Sequence, residues 1–146
     1  MRGVTMDSLK LTKELWKNMH DLKNSDPIKN MFSSMQGSTL VLHYLLKNNC
    51  VAFPNEISKY MSISTARIAA TLRNLEKKGY ITREIDVNDR RQVIVTLTPL
   101  GKEVVEKNCQ KMLDISRQTL ESLGEHDAKE LVRIFGKMAD HWNQHK

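Results

Sequence analysis

The side chains best suited to chemistry lie between Ser64 and Arg91. On a helix over 65–78, at 100° per residue, Ala66, Ala70, Arg73, Asn74 and Lys77 fall on one face, with Arg67 on its flank. Opposite them Ile68, Leu72 and Leu75, spaced four and three apart, form a narrow apolar arc. Alanines let a helix backbone approach a surface closely, and guanidinium and amide groups beside them can donate to guanine, adenine or phosphate. Arg90 and Arg91 add two cations at the end of a short polar stretch, Asp86 to Arg91. The same helix face also suits an ordinary surface helix with solvated cations, and the helix alone leaves both readings open.

Charge along the chain weighs on that choice. The 146 residues carry 23 basic and 17 acidic side chains, net +6. Between Lys59 and Arg91 eight basic residues stand against four acids, so this stretch alone supplies +4. A field concentrated in this way is what an anionic polymer selects. With 40% hydrophobic and 27% charged residues the chain belongs to the globular class. Its eight aromatics imply an aliphatic, methionine-bearing core.

Other chemistries find little support. No apolar run approaches the ~18 residues of a membrane span, and residues 1–11 lack the apolar block of a signal peptide. Cys50 and Cys109 match no zinc spacing and are too few for a disulfide framework, which points to a cytoplasmic setting and to buried, inert thiols. His141 and His145 are four apart but on a terminal turn, where a solvated tail is the simpler reading. There is no phosphate-cradling glycine loop, no nucleophile–base spacing and no HExxH pair. No enzyme, metal site or cofactor is implied.

The elements that must position the basic face follow from period and caps. Leu11, Leu15, Trp16, Met19 and Leu22 predict a first helix over about 9–22, interrupted near Pro27 and followed by a short helix over 28–35. Ser38 is placed to cap a third helix with Leu40, Val41, Tyr44 and Leu45 as its buried stripe. A fourth helix over 55–61 has Ile57, Tyr60 and Met61 as apolar positions. Ser62-Ile63-Ser64 then makes a three-residue turn, with Ser64 capping the basic helix and Gly79 ending it. From there the period changes to two. Ile81, Arg83 and Ile85, then Val93, Val95 and Leu97, predict a β-hairpin around the loop 86–91. Thr98-Pro99 opens a long helix to about Leu123, and after Gly124 the residues Leu131, Ile134, Phe135, Met138 and Trp142 mark a last one.

Two helices joined by a three-residue turn form a helix-turn-helix, whose second helix reads base edges with its N-terminal residues, here Ser64, Thr65, Ala66 and Arg67. An arginine-tipped hairpin directly after it is a wing, able to place a guanidinium in a narrow minor groove. The fold class is thus mainly α: a winged helix-turn-helix over 38–98 within one domain of 1–146. The helices of 1–37 and 99–146 are expected to serve dimerisation, because their apolar stripes exceed what one chain of this length readily buries.

The stretch from Ser62 to Gly101 resembles the MarR family of bacterial and archaeal regulators. The resemblance rests on Leu75-Glu76-Lys77-Lys78-Gly79 at the helix end, Arg83 in the first hairpin strand, and the family's Asp-x-Arg wing motif on Asp89, Arg90 and Arg91. It continues through Val95, Leu97, Thr98 and Gly101, and length and helix order agree as well. It implies a homodimer that binds an inverted-repeat operator on double-stranded DNA and regulates transcription, usually by repression. Arg91 would be the minor-groove residue, Asp89 would orient it, and Arg90 would meet phosphate or solvent.

Many such regulators release DNA on binding a small aromatic ligand, for which Trp16, Met19, His20, His43, Tyr44 and Met112 are the candidate lining. The oxidation-sensing branch uses a cysteine in the first helix, which is missing here. The zinc-responsive branch needs a ligand set that His43 does not complete, since the stretch 99–123 contains no histidine. The alternative is a winged helix used as a protein-docking module, which would show no operator preference.

Overall fold

The computed structural model describes residues 6–34 and 36–144. Among them seven helices and three strands follow one another as α1 (Met6–Asn24), α2 (Asp26–Ser34), α3 (Gly37–Lys47), β1 (Val51–Ala52), α4 (Pro54–Met61), α5 (Thr65–Lys77), β2 (Ile81–Ile85), β3 (Val93–Leu97), α6 (Pro99–Leu123) and α7 (Glu125–Asn143). The chain forms two compact units, Met1–Lys107 and Asn108–Lys146, with the division falling inside α6. Among the described residues no helix is long and apolar enough to cross a membrane.

In the first unit the core is aliphatic, as the low aromatic content requires. Val41, Leu42 and Leu45 of α3, Ile57 of α4 and Ile68, Leu72 and Leu75 of α5 are buried together with Ile81, Val95, Leu97 and Val105. The three-stranded sheet has the order β1-β3-β2 and is antiparallel throughout. Ile81 lies opposite Leu97 and Arg83 opposite Val95. β1 was not legible in the sequence: Val51 and Ala52 become a strand only by pairing with Thr96 and Val95.

Several expected details are corrected. α3 begins at Gly37 with Gln36 at its N-cap and no side-chain cap bond, so Ser38 is not the cap. The break near Pro27 falls at Ser25, whose hydroxyl donates to Leu22 O (2.7 Å), and Pro27 sits in the first turn of α2, where no helical N–H is required of it. Met35, the expected end of that helix, lies outside the described residues. Tyr60 is exposed rather than buried, its ring 4.6 Å from that of Tyr44. The α1 stripe of Leu11, Leu15, Trp16, Met19 and Leu22 is exposed, in line with the expectation that one chain does not bury it.

The joint between α5, the sheet and α6 is tight. Thr98 Oγ1 donates to Gly79 O (2.6 Å) and accepts from Gly101 N–H (3.0 Å), while Thr98 N–H donates to Tyr80 O (3.0 Å). Threonine therefore caps α6, as its position before Pro99 predicts. Gly101 is buried, and a Cβ there would lie 2.0 Å from Tyr80 O. Only a residue without a side chain lets α6 pass this close to the turn.

The second unit holds the rest of α6 and α7, joined at Gly124 (φ 78°). None of the α7 residues is buried. Its stripe of Ile134, Phe135, Met138 and Trp142 is open to solvent.

Candidate nucleic-acid interface

The helix-turn-helix is built by α4 and α5. Ser62 closes α4 in the left-handed region (φ 53°), and Ser58 Oγ donates to Ile63 O (2.6 Å), fixing the path of the turn. Ser64 then accepts from Arg67 N–H through its side chain (3.3 Å), the cap its sequence position predicts. α5 buries Ile68, Leu72 and Leu75 and exposes Ser64, Thr65, Ala66, Arg67, Ala70, Arg73, Asn74 and Lys77. All eight residues expected at the recognition surface are thus at the surface. Arg67, Arg73 and Lys77 form no ion pair with the described residues, so their charge is available to a ligand.

The wing loop is held by its own backbone and by Asp89. Asp86 Oδ1 accepts from Asn88 N–H (2.9 Å), Asp86 N–H donates to Gln92 O (3.0 Å), and Gln92 N–H donates to Asp89 O (2.8 Å). Asp89 Oδ1 accepts from Arg91 N–H (3.1 Å) and Nε (3.3 Å), and Asp89 Oδ2 accepts from Gln92 Nε2 (3.1 Å). These donors stabilise the charged carboxylate and hold Asp89 below its ordinary pKa, with the Arg91 backbone N–H as the largest cause, then the Gln92 amide and the Arg91 side chain. Arg91 is bonded to Asp89 at Nε, and its side chain remains 92% exposed. Arg90 is exposed and forms no ion pair among the described residues.

Thr65 and Arg91, 26 positions apart in sequence, border one open surface depression of about 370 Å³ together with Phe53, Pro54, Asn55, Gln92 and Val93. The recognition-helix start and the wing are thereby brought to one place. Gln92 and Asn55 were missed in the sequence. The signal for Gln92 was its place directly after the wing motif, where its amide can reach back to Asp89.

Not every cation near the interface is free. Arg83 Nε (3.0 Å) and Nη2 (2.5 Å) both donate to Glu76 Oε2, which holds Glu76 below its ordinary pKa. Of the expected effector lining, Trp16, Met19 and His20 are exposed on α1, His43 and Tyr44 are half-buried on α3, and Met112 belongs to the second unit. Among the described residues Cys50 and Cys109 form no disulfide, and both are half-buried, not fully buried as expected. Cys50 also stands in the left-handed region (φ 67°). His141 packs edge-on against Trp142, 5.3 Å between centroids, and His145 lies outside the described residues. Among the described residues no group of three His, Cys, Asp or Glu side chains could hold a metal ion.

Comparison with known proteins agrees with this geometry. Residues 39–115 match the family model of the winged helix DNA-binding domain. An uncharacterized HTH-type transcriptional regulator of Bacillus subtilis, YcgE, is 38% identical over 89 residues, covering 58% of this chain and 55% of the relative. The chain thus spans about half the length of that curated relative. Among solved structures, the YusO protein of Bacillus subtilis superposes with a TM-score of 0.76 at 21% identity, over 93% of this chain and 98% of that one. AbsC, a MarR family transcriptional regulator of Streptomyces coelicolor, gives 0.66 at 18% identity over 99% of both chains. A point mutant of MepR from S. aureus, bound to an oligodeoxyribonucleotide, gives a TM-score of 0.61 at 23% identity, over 90% of this chain and 97% of that one. At these identities the structural likeness establishes the fold.

Proposed function

The chain belongs to the winged-helix DNA-binding domain family and has the fold of MarR-type regulators, and from that premise we propose that it is a cytoplasmic transcription regulator. It binds an inverted-repeat operator as a homodimer and represses by occupying a promoter. One observation carries the reading. Arg91, bonded to Asp89 and otherwise exposed, borders the same open depression as Thr65 at the start of α5. A minor-groove donor and a major-groove helix start are therefore available to one duplex at once.

The dimer reading is supported by surfaces that a single chain leaves open. In the first unit α1 exposes Trp16 and Leu15, and in the second α7 exposes Phe135 and Trp142. Stripes of this size on a soluble protein are covered by a partner, and a second copy related by a two-fold axis supplies one without any further component.

Selection of bound sites from random duplex DNA tests the proposal. Enrichment of a palindrome with half-sites one helical turn apart is the expected result. Binding without sequence preference would favour a protein-docking winged helix instead. A small aromatic effector suits the methionine and aromatic surface of α1 and α3. Challenging the DNA complex with phenols, metals and peroxide tests for release.

A further inference from the structure

Arg83 is an arginine of the wing that cannot serve DNA in the manner of Arg91. It lies on β2, two residues from buried Ile81 and on the same side of the strand, and its side chain is only 29% exposed. Both of its contacting nitrogens are committed to one oxygen of Glu76, in the last turn of α5. The partners lie seven positions apart, across the turn Lys78–Tyr80. On one side of the pair the chain leads back into the recognition helix. On the other it runs two residues to Ile85 and into the wing loop.

We propose that Glu76 is a positioning residue for DNA recognition: by holding Arg83 it fixes the orientation of the hairpin against α5, so that recognition helix and wing meet their two grooves together. The inference rests on the DNA-binding reading above. The wing loop is bonded internally through Asp86, Asp89 and Gln92, and the base of the hairpin is held by Ile81 and Leu97 in the core, so the pair at Arg83 bears on the stretch of β2 that leads from that base to the loop. A charge-assisted contact there, with two nitrogens on one carboxylate oxygen, holds that stretch more firmly than a single neutral bond does. Wing and helix contacts gain affinity together only when the protein arrives with both already placed.

The sign of one substitution separates this role from bulk electrostatics. Removing the Glu76 carboxylate makes the DNA-binding region more positive, and charge alone then predicts tighter, more salt-sensitive binding. The positioning role predicts the reverse. Glu76→Ala should weaken operator binding roughly tenfold, within the range that coupled contacts show, and Glu76→Gln, which keeps one acceptor, should fall between it and the wild type. In the Glu76→Ala background, Arg91→Ala should also cost clearly less than in the wild type, because a misplaced wing has less to lose.

Free protein supplies a second readout. Residual dipolar couplings of α5 and the hairpin should fit one alignment tensor in the wild type and require two in Glu76→Ala. Arg83 stands near enough to water to be solvated once its partner is gone, so the variant keeps its fold. Unchanged or tighter DNA binding, strict additivity with Arg91→Ala, or a single tensor in the variant would each overturn the proposal. Failure of the wild-type protein to bind any duplex would instead overturn the DNA reading, and the tensor comparison would still decide the tether.

Discussion

α5 and α7 are both amphipathic helices of one chain, yet they finish opposite halves of the task. α5 seals its apolar face, with Ile68, Leu72 and Leu75 at 0–1% exposure, and leaves Arg67, Arg73 and Lys77 without ion pairs among the described residues. α7 pairs its charges along its own length, Lys129 with Glu125 (2.5 Å) and Arg133 with Glu130 (2.6 Å), and leaves Phe135 and Trp142 open at 62% and 67%. Pairs three or four apart satisfy a helix locally and ask nothing of a partner. Uncovered cations ask for an anion, and an uncovered apolar stripe asks for another apolar surface. The two helices thus differ in which kind of partner would complete them.

The sharpest way to break the contrast is to make α7 polar. Phe135→Glu with Trp142→Glu should yield a monomer by sedimentation. A two-fold dimer sets recognition helices ~34 Å apart, and without it binding to the palindrome should fall to the non-specific range of roughly 10⁻⁴–10⁻⁶ M. A dimer that persists with wild-type affinity would remove α7 from assembly. Next in size, Ala70→Glu sets a carboxylate between Arg67 and Arg73. It should abolish operator binding while circular dichroism and oligomeric state stay unchanged, because glutamate is a good helix former. Retained affinity would mean that the DNA-facing side of α5 lies elsewhere.

Smaller is Arg91→Ala, which should cost about 1–3 kcal/mol of binding and lower the salt slope by roughly one unit. Wild-type affinity and slope would take the wing out of the interaction. The smallest effect is a pH effect. Asp89 is held below its ordinary pKa by the Arg91 N–H, the Gln92 amide and the Arg91 guanidinium. Its contribution to folding is therefore complete above the ~3.9 of an ordinary aspartate and is lost only as pH falls through the lower folded value. A carbon-13 titration of the Asp89 carboxyl should place its midpoint below ~3.9, with the wing unchanged between neutral pH and about 5. A midpoint at or above the ordinary value would mean that Asp89 does not hold Arg91.

What could be read from sequence is what is encoded locally. The 3.6-residue period of α5, its serine cap, the alternation of β2 and β3 and the Thr98-Pro99 start each involve residues within one or two turns of each other, and all are present. β1 was missed because two residues carry no period; it exists through partners more than forty positions away. Tyr60 has helical spacing with Ile57, yet Ile57 takes the core and Tyr60 is left against Tyr44. Arg83 was recognisable as part of a motif, but its alternation with Ile81 and Ile85 said nothing about Glu76, because the partner belongs to another element across a turn. The basic face of α5 was legible as a pattern. That Arg91 comes round to border an open depression with Thr65 follows only from the fold.

At the joint of α5 and α6, a Cβ on Gly101 would strike Tyr80 O at 2.0 Å and Leu97 Cδ1 at 2.9 Å. Backbone there rests on backbone, with Thr98 bonded to both sides. Such a joint leaves little free space, because interiors are close-packed and the Tyr80 carbonyl cannot turn aside as a side chain can. Even a methyl group at Gly101 would force the start of α6 away from the turn that follows α5.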